Sequence, residues 1–286
     1  MPRKIDRLDE IASAFDVLLC DVWGVVHNGI NPFPQAIEAL VAARRAGKTV
    51  VMITNSPRPA EGVIGQFAAI GVDAEAWDDI VTSGDVTRSL VENAPRKLFY
   101  IGPERDRALV DGLDVELVDE DQAEAVLCTG PFHDETETPD DYAAMLSRFK
   151  ARDLPFYCAN PDQVVERGER IIYCAGALGS AYEAIGGVTR IAGKPHRPIY
   201  DEAIRRVEAL RGETAKARML AVGDGMGTDI RGAVDAGLDA LFIARGIHAA
   251  DYYQGNRVDE DRLATFFEHH RSALPTYWSE GLSWGK

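Results

Sequence analysis

The sequence predicts an α/β fold, a parallel sheet with helices on both faces, carrying an inserted α/β domain. Three observations predict it. Short apolar runs alternate with helical stretches along most of the chain. Three of those runs end one or two residues before a polar residue, at Asp21, Thr54 and Asp224. A second alternating stretch of its own, from about residue 84 to 190, lies between the second and third of them.

Each element has a local reason. Val17-Leu18-Leu19-Cys20 is apolar throughout and too short for a helix, so it reads as a buried strand. Pro34 to Ala46 reads as a helix, with proline in its first turn, Ile37, Leu40 and Val41 on one face and Gly47 as its stop. Thr49 to Ile53 is a β-branched strand, and Thr54-Asn55-Ser56-Pro57 turns out of it toward a helix ending near Ile70. In the inserted stretch, Lys97–Ile101, Val115–Val118, Ala125–Cys128 and Phe156–Cys158 read as strands. Helices fit Glu104–Val110 and Pro139–Arg152, and a hairpin fits Val164–Glu166 with Arg170–Tyr173 around Arg167-Gly168. Later, Met219 to Val222 is a strand, Asp229 to Ala236 a helix and Ala240 to Ile243 a strand. In a parallel sheet, ligands bind just beyond the carboxyl ends of the strands, which would bring Asp21, Thr54 and Asp224 into one crevice.

Composition narrows the function. The chain of 286 residues has 31 basic and 46 acidic residues, a net charge of −15. That balance opposes non-specific binding to nucleic acid or to an anionic membrane. Cys20, Cys128, Cys158 and Cys174 lie far apart in apolar surroundings, as buried free thiols do, and form no zinc spacing. Residues 1–15 lack the apolar core of a signal peptide, and no apolar run approaches the ~20 residues of a membrane span. The expectation is a soluble, cytoplasmic protein in a reducing compartment.

Two carboxylates in one crevice repel unless a cation sits between them or one is protonated. Oxygen ligands of this type suit magnesium, which keeps waters and substrate phosphate oxygens around it. Lys194, in Gly193-Lys194-Pro195, supplies a positive charge for a phosphate; Thr54 and Asn55 offer a hydroxyl, an amide and backbone N–H groups. Asp229 follows Thr228 at a helix start, in place to help hold the waters of a metal.

Asp21-Val22-Trp23-Gly24-Val25, Thr54-Asn55-Ser56, Gly193-Lys194-Pro195 and Gly223-Asp224-Gly225-Met226-Gly227-Thr228-Asp229-Ile230 resemble, in order and spacing, the four motifs of the haloacid-dehalogenase-like superfamily. The insertion between the second and third, with Ala159-Asn160-Pro161-Asp162 and Gly176-Ala177-Leu178, resembles the class with an α/β cap, the NagD-like and pyridoxal-phosphate phosphatases. The resemblance implies a Rossmann-like catalytic core over 1–83 and 191–286, a cap over 84–190, and Mg²⁺-dependent hydrolysis of a small phosphorylated molecule. It implies Asp21 as nucleophile, with Mg²⁺ held by Asp21, Asp224, the backbone carbonyl of Trp23 and, in support, Asp229. Thr54, Asn55 and Lys194 would hold the transferring phosphate. Substrate identity would reside in the cap, with Asn160 and Asp162 as candidates by position. Caps of this class often form homodimers, although no stripe in this sequence assigns an interface.

One position departs from the pattern. The phosphatases carry a second aspartate two residues after the nucleophile, as general acid and base; here it is Trp23. Loss of general acid–base catalysis typically costs ~10²–10⁴-fold. His27, on the same loop, is the nearest substitute. Three alternatives follow from Trp23: a phosphate-ligand binding or regulatory protein with little turnover, a 2-haloacid dehalogenase-like hydrolase, or a phosphatase whose substrate has a leaving group needing little help, such as an acyl or aryl phosphate.

Plainer readings stand beside these. Asp21 and Asn55 could be helix caps, and Asn160 with Asp162 an Asx-Pro turn. Lys194 could be a solvated turn residue and Arg58 an exposed loop arginine. Gly223-Asp224-Gly225 lacks the last glycine of a dinucleotide fingerprint, since residue 228 is Thr. Adjacent His269 and His270 point to different helix faces and read as solvated. The stretch from Tyr277-Trp278 to Trp284 reads as packing on its own core or on a subunit.

Overall fold

The computed structural model describes residues 1–168 and 170–285. Strands β1 (Arg3–Lys4) and β2 (Val17–Cys20) precede α1 (Pro34–Arg45), β3 (Thr49–Thr54), α2 (Ala60–Ile70) and β4 (Asp79–Thr82). Next come α3 (Ser83–Val91), β5 (Lys97–Ile101), β6 (Glu116–Leu117), β7 (Ala125–Cys128), α4 (Ala143–Ala151) and β8 (Phe156–Cys158). The pair β9 (Val164–Arg167) and β10 (Arg170–Tyr173) leads to α5 (Ala175–Ala184) and β11 (Thr189–Ile191). The chain continues through α6 (Arg197–Arg211), β12 (Met219–Gly223), α7 (Arg231–Ala236), β13 (Asp239–Ile243), α8 (Ala249–Tyr252), β14 (Tyr253–Gln254), β15 (Arg257–Val258), α9 (Glu260–His269) and β16 (Tyr277–Ser279). These elements form two compact units: Met1–Thr54 with Gly65–Val81 and the chain from Tyr200 onward, and Asn55–Ile64 with Thr82–Ile199.

The first unit is built on a seven-stranded sheet of order β1-β16-β13-β12-β2-β3-β4. The ladders β1–β16, β16–β13, β13–β12, β12–β2 and β2–β3 are all parallel. Every residue of β2 and of β12 is buried. A strand with no wet face is covered on both sides, as a parallel sheet between layers of helices requires. This is a Rossmann-like core. Because β12, β2 and β3 are neighbours in register (Val222 opposite Cys20, Cys20 opposite Met52), the residues that follow them emerge side by side at one sheet end.

The second unit has a five-stranded parallel sheet of order β11-β8-β7-β5-β6. Alternation along β7 and β8 splits its side chains between two faces. Val126, Phe156 and Cys158 pack with Phe149 and Tyr182, whereas Ala125, Leu127 and Tyr157 pack with Val91 and Leu109. The antiparallel β9–β10 hairpin pairs Arg167 with Arg170 and turns through Gly168, whose φ of +64° suits glycine.

Several expected elements take a different form. Glu104–Val110 is a 3₁₀-helix, and the carbonyls of Leu109 and Asp111 at its end accept from the Arg88 guanidinium (2.6 and 2.8 Å) instead of from a continuing helix. Pro139–Tyr142 is also 3₁₀, tightened by a capping box between Thr138 and Asp141, and α4 begins only at Ala143. The expected strand Val115–Val118 pairs only over Glu116–Leu117, at a sheet edge. The segment from Tyr277 is a sheet strand, β16, with Trp278 buried in the core. Cys20, Cys128, Cys158 and Cys174 are free and buried, and burial pushes the Cys158 thiol up to about 12. Among the described residues, no helix is long and apolar enough to cross a membrane.

Candidate active site

Asp21 leaves β2 with its N–H donated to the Val222 carbonyl at 2.8 Å, an extension of the β2–β12 ladder that fixes the backbone before the chain turns away. Asp224 occupies the equivalent place after β12. Asp229 returns to the same point because residues Met226–Ile230 form a π turn before α7 begins, where the sequence pattern reads as a continuous α-helix from Asp229. The wider turn lets the Asp229 carboxylate accept from the Gly225 N–H at 3.0 Å, and its own carbonyl accepts from the Tyr200 hydroxyl at 3.0 Å.

The outcome is a buried acidic triad. Ligand oxygens of Asp21, Asp224 and Asp229 lie within 4.8 Å of one another, and each residue is 5% exposed. Three buried carboxylates this close are costly without a cation, and their donor set is entirely oxygen. The set fits a hard divalent cation.

The Asp224 carboxylate is seated by backbone. It accepts from the Ile247 N–H at 2.8 Å, and a Cβ placed on Gly24 or Gly246 would stand 2.2 or 2.0 Å from its Oδ2. Only glycine lets both loops close on the carboxylate. The Met226 N–H, at the start of the π turn, donates to His248 Nε2 at 3.4 Å, and burial lowers the His248 pKa below its ordinary value, favouring the neutral, accepting ring. The sequence reading missed Gly246, Ile247 and His248. The available signal was a glycine three residues past the apolar strand β13, at the same sheet end as the triad.

The loop after β2 is closed by its own backbone: Gly24 N–H to the His27 carbonyl at 2.8 Å, and Val26 N–H to the Val22 carbonyl at 2.8 Å. Trp23 packs edge-on to His27 (centroids 5.2 Å), and its six-membered ring lies so close to Gly29 that a Cβ there would approach to 2.4 Å. His27 in turn packs edge-on to Phe67 at 5.8 Å. His27 is 1% exposed, its Nδ1 accepts from the Gly29 N–H at 2.8 Å, and burial lowers its pKa to about 4. A ring held neutral by burial counts against His27 as the substitute for the missing acid.

In the second unit, Asn55 and Lys194 are joined directly. Asn55 Oδ1 accepts from the Lys194 N–H at 2.7 Å, while its Nδ2 donates to the Lys194 carbonyl at 3.2 Å and to Asp162 Oδ1 at 2.8 Å. Asn55 therefore anchors the Gly193-Lys194-Pro195 loop and is not a helix cap. Lys194 is 3% exposed, which removes the solvated-turn reading. Ser83, fully buried at the start of α3, lies beside Gly193, where a Cβ would stand 2.5 Å from its Oγ. Asn160 Oδ1 accepts from the Asp162 N–H at 3.1 Å; the pair forms the Asx turn, with Asp162 supporting Asn55. Arg58 is no free loop arginine: its Nε donates to the buried Asp106 carboxylate at 2.9 Å. His270 packs at a tilt against Phe266 (centroids 4.5 Å) and is half-buried, so only His269 is solvated as expected.

Residues 18–116 match the family described as haloacid dehalogenase-like hydrolase, and residues 191–267 match a HAD-hydrolase-like family. A solved haloacid dehalogenase-like hydrolase from Brucella suis 1330 is 50% identical, with a TM-score of 0.88 over 97% of this chain and 99% of that one. The ribonucleotide monophosphatase NagD of Escherichia coli (strain K12) is 27% identical over 243 residues, 82% of this chain and 89% of its own. A glycerol phosphate phosphatase from Mycobacterium tuberculosis, solved in complex with magnesium, is 25% identical with a TM-score of 0.68, over 95% of this chain and 76% of that one.

Proposed function

We propose, from the premise that the chain belongs to the haloacid dehalogenase-like hydrolase family, that it is a magnesium-dependent phosphatase of a small phosphorylated metabolite with Asp21 as nucleophile. The observation that carries the reading is the buried triad Asp21, Asp224 and Asp229. A halide-releasing enzyme has no need of three converging carboxylates, whereas a phosphoryl group brought to Asp21 requires its negative charge to be offset.

In this reading Mg²⁺ would be held by Asp21, Asp224, the Trp23 carbonyl and, in support, Asp229. When bound, it offsets charge on the phosphoryl oxygens and on the carboxylates. The Asp21 carboxylate attacks phosphorus, the bond to the leaving group breaks, and water then cleaves the aspartyl phosphate and restores Asp21. Thr54 and Lys194 hold the phosphoryl oxygens, and Asn55 keeps the Lys194 loop in place through its paired hydrogen bonds. The catalytic core is 1–83 with 191–286, and 84–190 is the inserted cap that selects the substrate. The four buried free thiols support a reducing, cytoplasmic setting.

The test is hydrolysis of 4-nitrophenyl phosphate with Mg²⁺ or EDTA by wild type, Asp21→Asn and Asp224→Asn. Activity that needs Mg²⁺ and is lost in both variants is the expected result. Activity retained in EDTA or in Asp21→Asn would overturn the assignment. Tight Mg²⁺-dependent binding of a phosphorylated ligand by a wild type without turnover would identify a binding protein instead.

A further inference from the structure

We propose that the site is built for phosphorylated substrates whose leaving group departs as a stable anion, acyl phosphates foremost and aryl phosphates next, and that it discriminates against alkyl phosphate monoesters. The inference rests on the phosphatase reading above and narrows its substrate class.

The observation is the chemistry of the loop that follows the nucleophile. Between Asp21 and the start of α1 it carries Val22, Trp23, Gly24, Val25, Val26, His27, Asn28 and Gly29, with no carboxylic acid among residues 22–33. Trp23 occupies the position two residues after Asp21, and its indole is folded onto Gly29 and His27. His27 is 1% exposed behind it, with Nδ1 accepting from the Gly29 N–H, so its ring is part of the loop's packing. Asn28 Oδ1 accepts from the Asn31 N–H at 2.8 Å, an Asx turn that shapes the loop. The Asn28 amide oxygen and the His27 Nδ1 are thus spent on the loop's own conformation.

The two chemical steps feel this differently. In the first, Asp21 Oδ forms a bond to phosphorus as the bond from phosphorus to the leaving oxygen breaks, and that oxygen keeps the electron pair. An alkoxide needs a proton at that moment; a carboxylate or a nitrophenolate does not. In the second, water adds to phosphorus, the bond to Asp21 breaks, and the water's protons pass to phosphate and solvent. A base on the loop would speed that step, and the loop carries none. The aspartyl phosphate therefore forms readily from an acyl phosphate and hydrolyses slowly, so good substrates share one turnover number while their kcat/KM values spread with the leaving group.

The experiment measures kcat and kcat/KM with Mg²⁺ for acetyl phosphate, 4-nitrophenyl phosphate and glycerol 3-phosphate, in wild type, Trp23→Asp and Trp23→Asn. Wild type should favour acetyl over glycerol phosphate in kcat/KM by more than the difference in their uncatalysed reactivity, by a further factor on the order of 10²–10⁴. Trp23→Asp should collapse that ratio and Trp23→Asn, similar in shape but without an acidic proton, should keep it. Equal kcat/KM for acetyl and glycerol phosphate in wild type would overturn the inference while leaving the phosphatase reading intact. A ratio that falls equally in Trp23→Asp and Trp23→Asn would overturn it too, by showing that the indole acts through shape alone. Absence of turnover and of aspartyl phosphate with all three, in folded wild type, would overturn the phosphatase reading itself.

Discussion

The loops that leave β2 and β12 are neighbours at one sheet end, and they have been shaped in opposite ways. The carboxylates of the β12 loop are seated by glycines and backbone N–H groups: Gly246 and Ile247, from the loop after β13, close on Asp224, and Gly225 donates to Asp229. The β2 loop keeps one carboxylate, Asp21, and fills the rest with Trp23 and a buried His27. The first arrangement serves a cation and the negative charge of phosphate. The second holds no Asp or Glu over residues 22–33 and packs an indole there instead. Charge stabilisation and acid–base chemistry are separable parts of a phosphoryl-transfer site, and the proposed function has this chain retain the first without the second.

Perturbing either loop sharpens that contrast. The largest effect should fall on the proposed nucleophile: Asp21→Asn should lower Mg²⁺-dependent turnover by a factor on the order of 10⁴ or more. Steady-state rates with the metal at saturation check it, and a loss below tenfold would place the nucleophile elsewhere.

The packed β2 loop should appear in acid stability. Burial depresses the His27 pKa to about 4 from an ordinary 6.5. Its unfolded form therefore binds the proton more tightly. The stabilisation is complete above pH 6.5 and is lost as pH falls through 4, by about 3 kcal/mol in all. Urea unfolding between those pH values should be less pH-dependent in His27→Phe than in wild type; equal slopes would refute the buried neutral ring.

The β12 loop should respond to metal. At a Mg²⁺ concentration 100 times its Kd, stability should rise by about 2.7 kcal/mol. In Asp224→Asn that rise should disappear, while the metal-free protein becomes more stable because one of three mutually repelling carboxylates is gone. Thermal unfolding with and without Mg²⁺ reads both. Smaller still, Gly246→Ala presses a methyl against the Asp224 carboxylate and should weaken Mg²⁺ binding by about 10–100-fold by calorimetry, with the fold retained.

What the sequence revealed follows the same division. β2, β3, β12 and β13 are legible because parallel strands covered on both faces are nearly continuous apolar runs. Their polar exits, Asp21, Thr54 and Asp224, could be read as one site on the strength of that topology. β4 was not legible, since Ile80 and Val81 are its only large apolar residues. α6 did carry a helical signal, with Ile199, Ala203 and Val207 buried at four-residue spacing, and it went unread. The pairing of β1 with β16 joins Arg3 to Tyr277, a contact across nearly the whole chain that no local pattern announces. Within the site, the triad's existence was legible but its seating was not. The π turn that brings Asp229 back to Gly225, and the bond from Asn55 to an Asp162 more than a hundred residues later, are tertiary facts.

The measurement that bears most directly on a charge-stabilising site without proton transfer is rapid mixing of the protein with 4-nitrophenyl phosphate and Mg²⁺. A burst of nitrophenolate equal to one per molecule is expected, then slow turnover, with the burst abolished by EDTA and by Asp21→Asn. Linear release from the first turnover, or a burst that survives in Asp21→Asn, would contradict it.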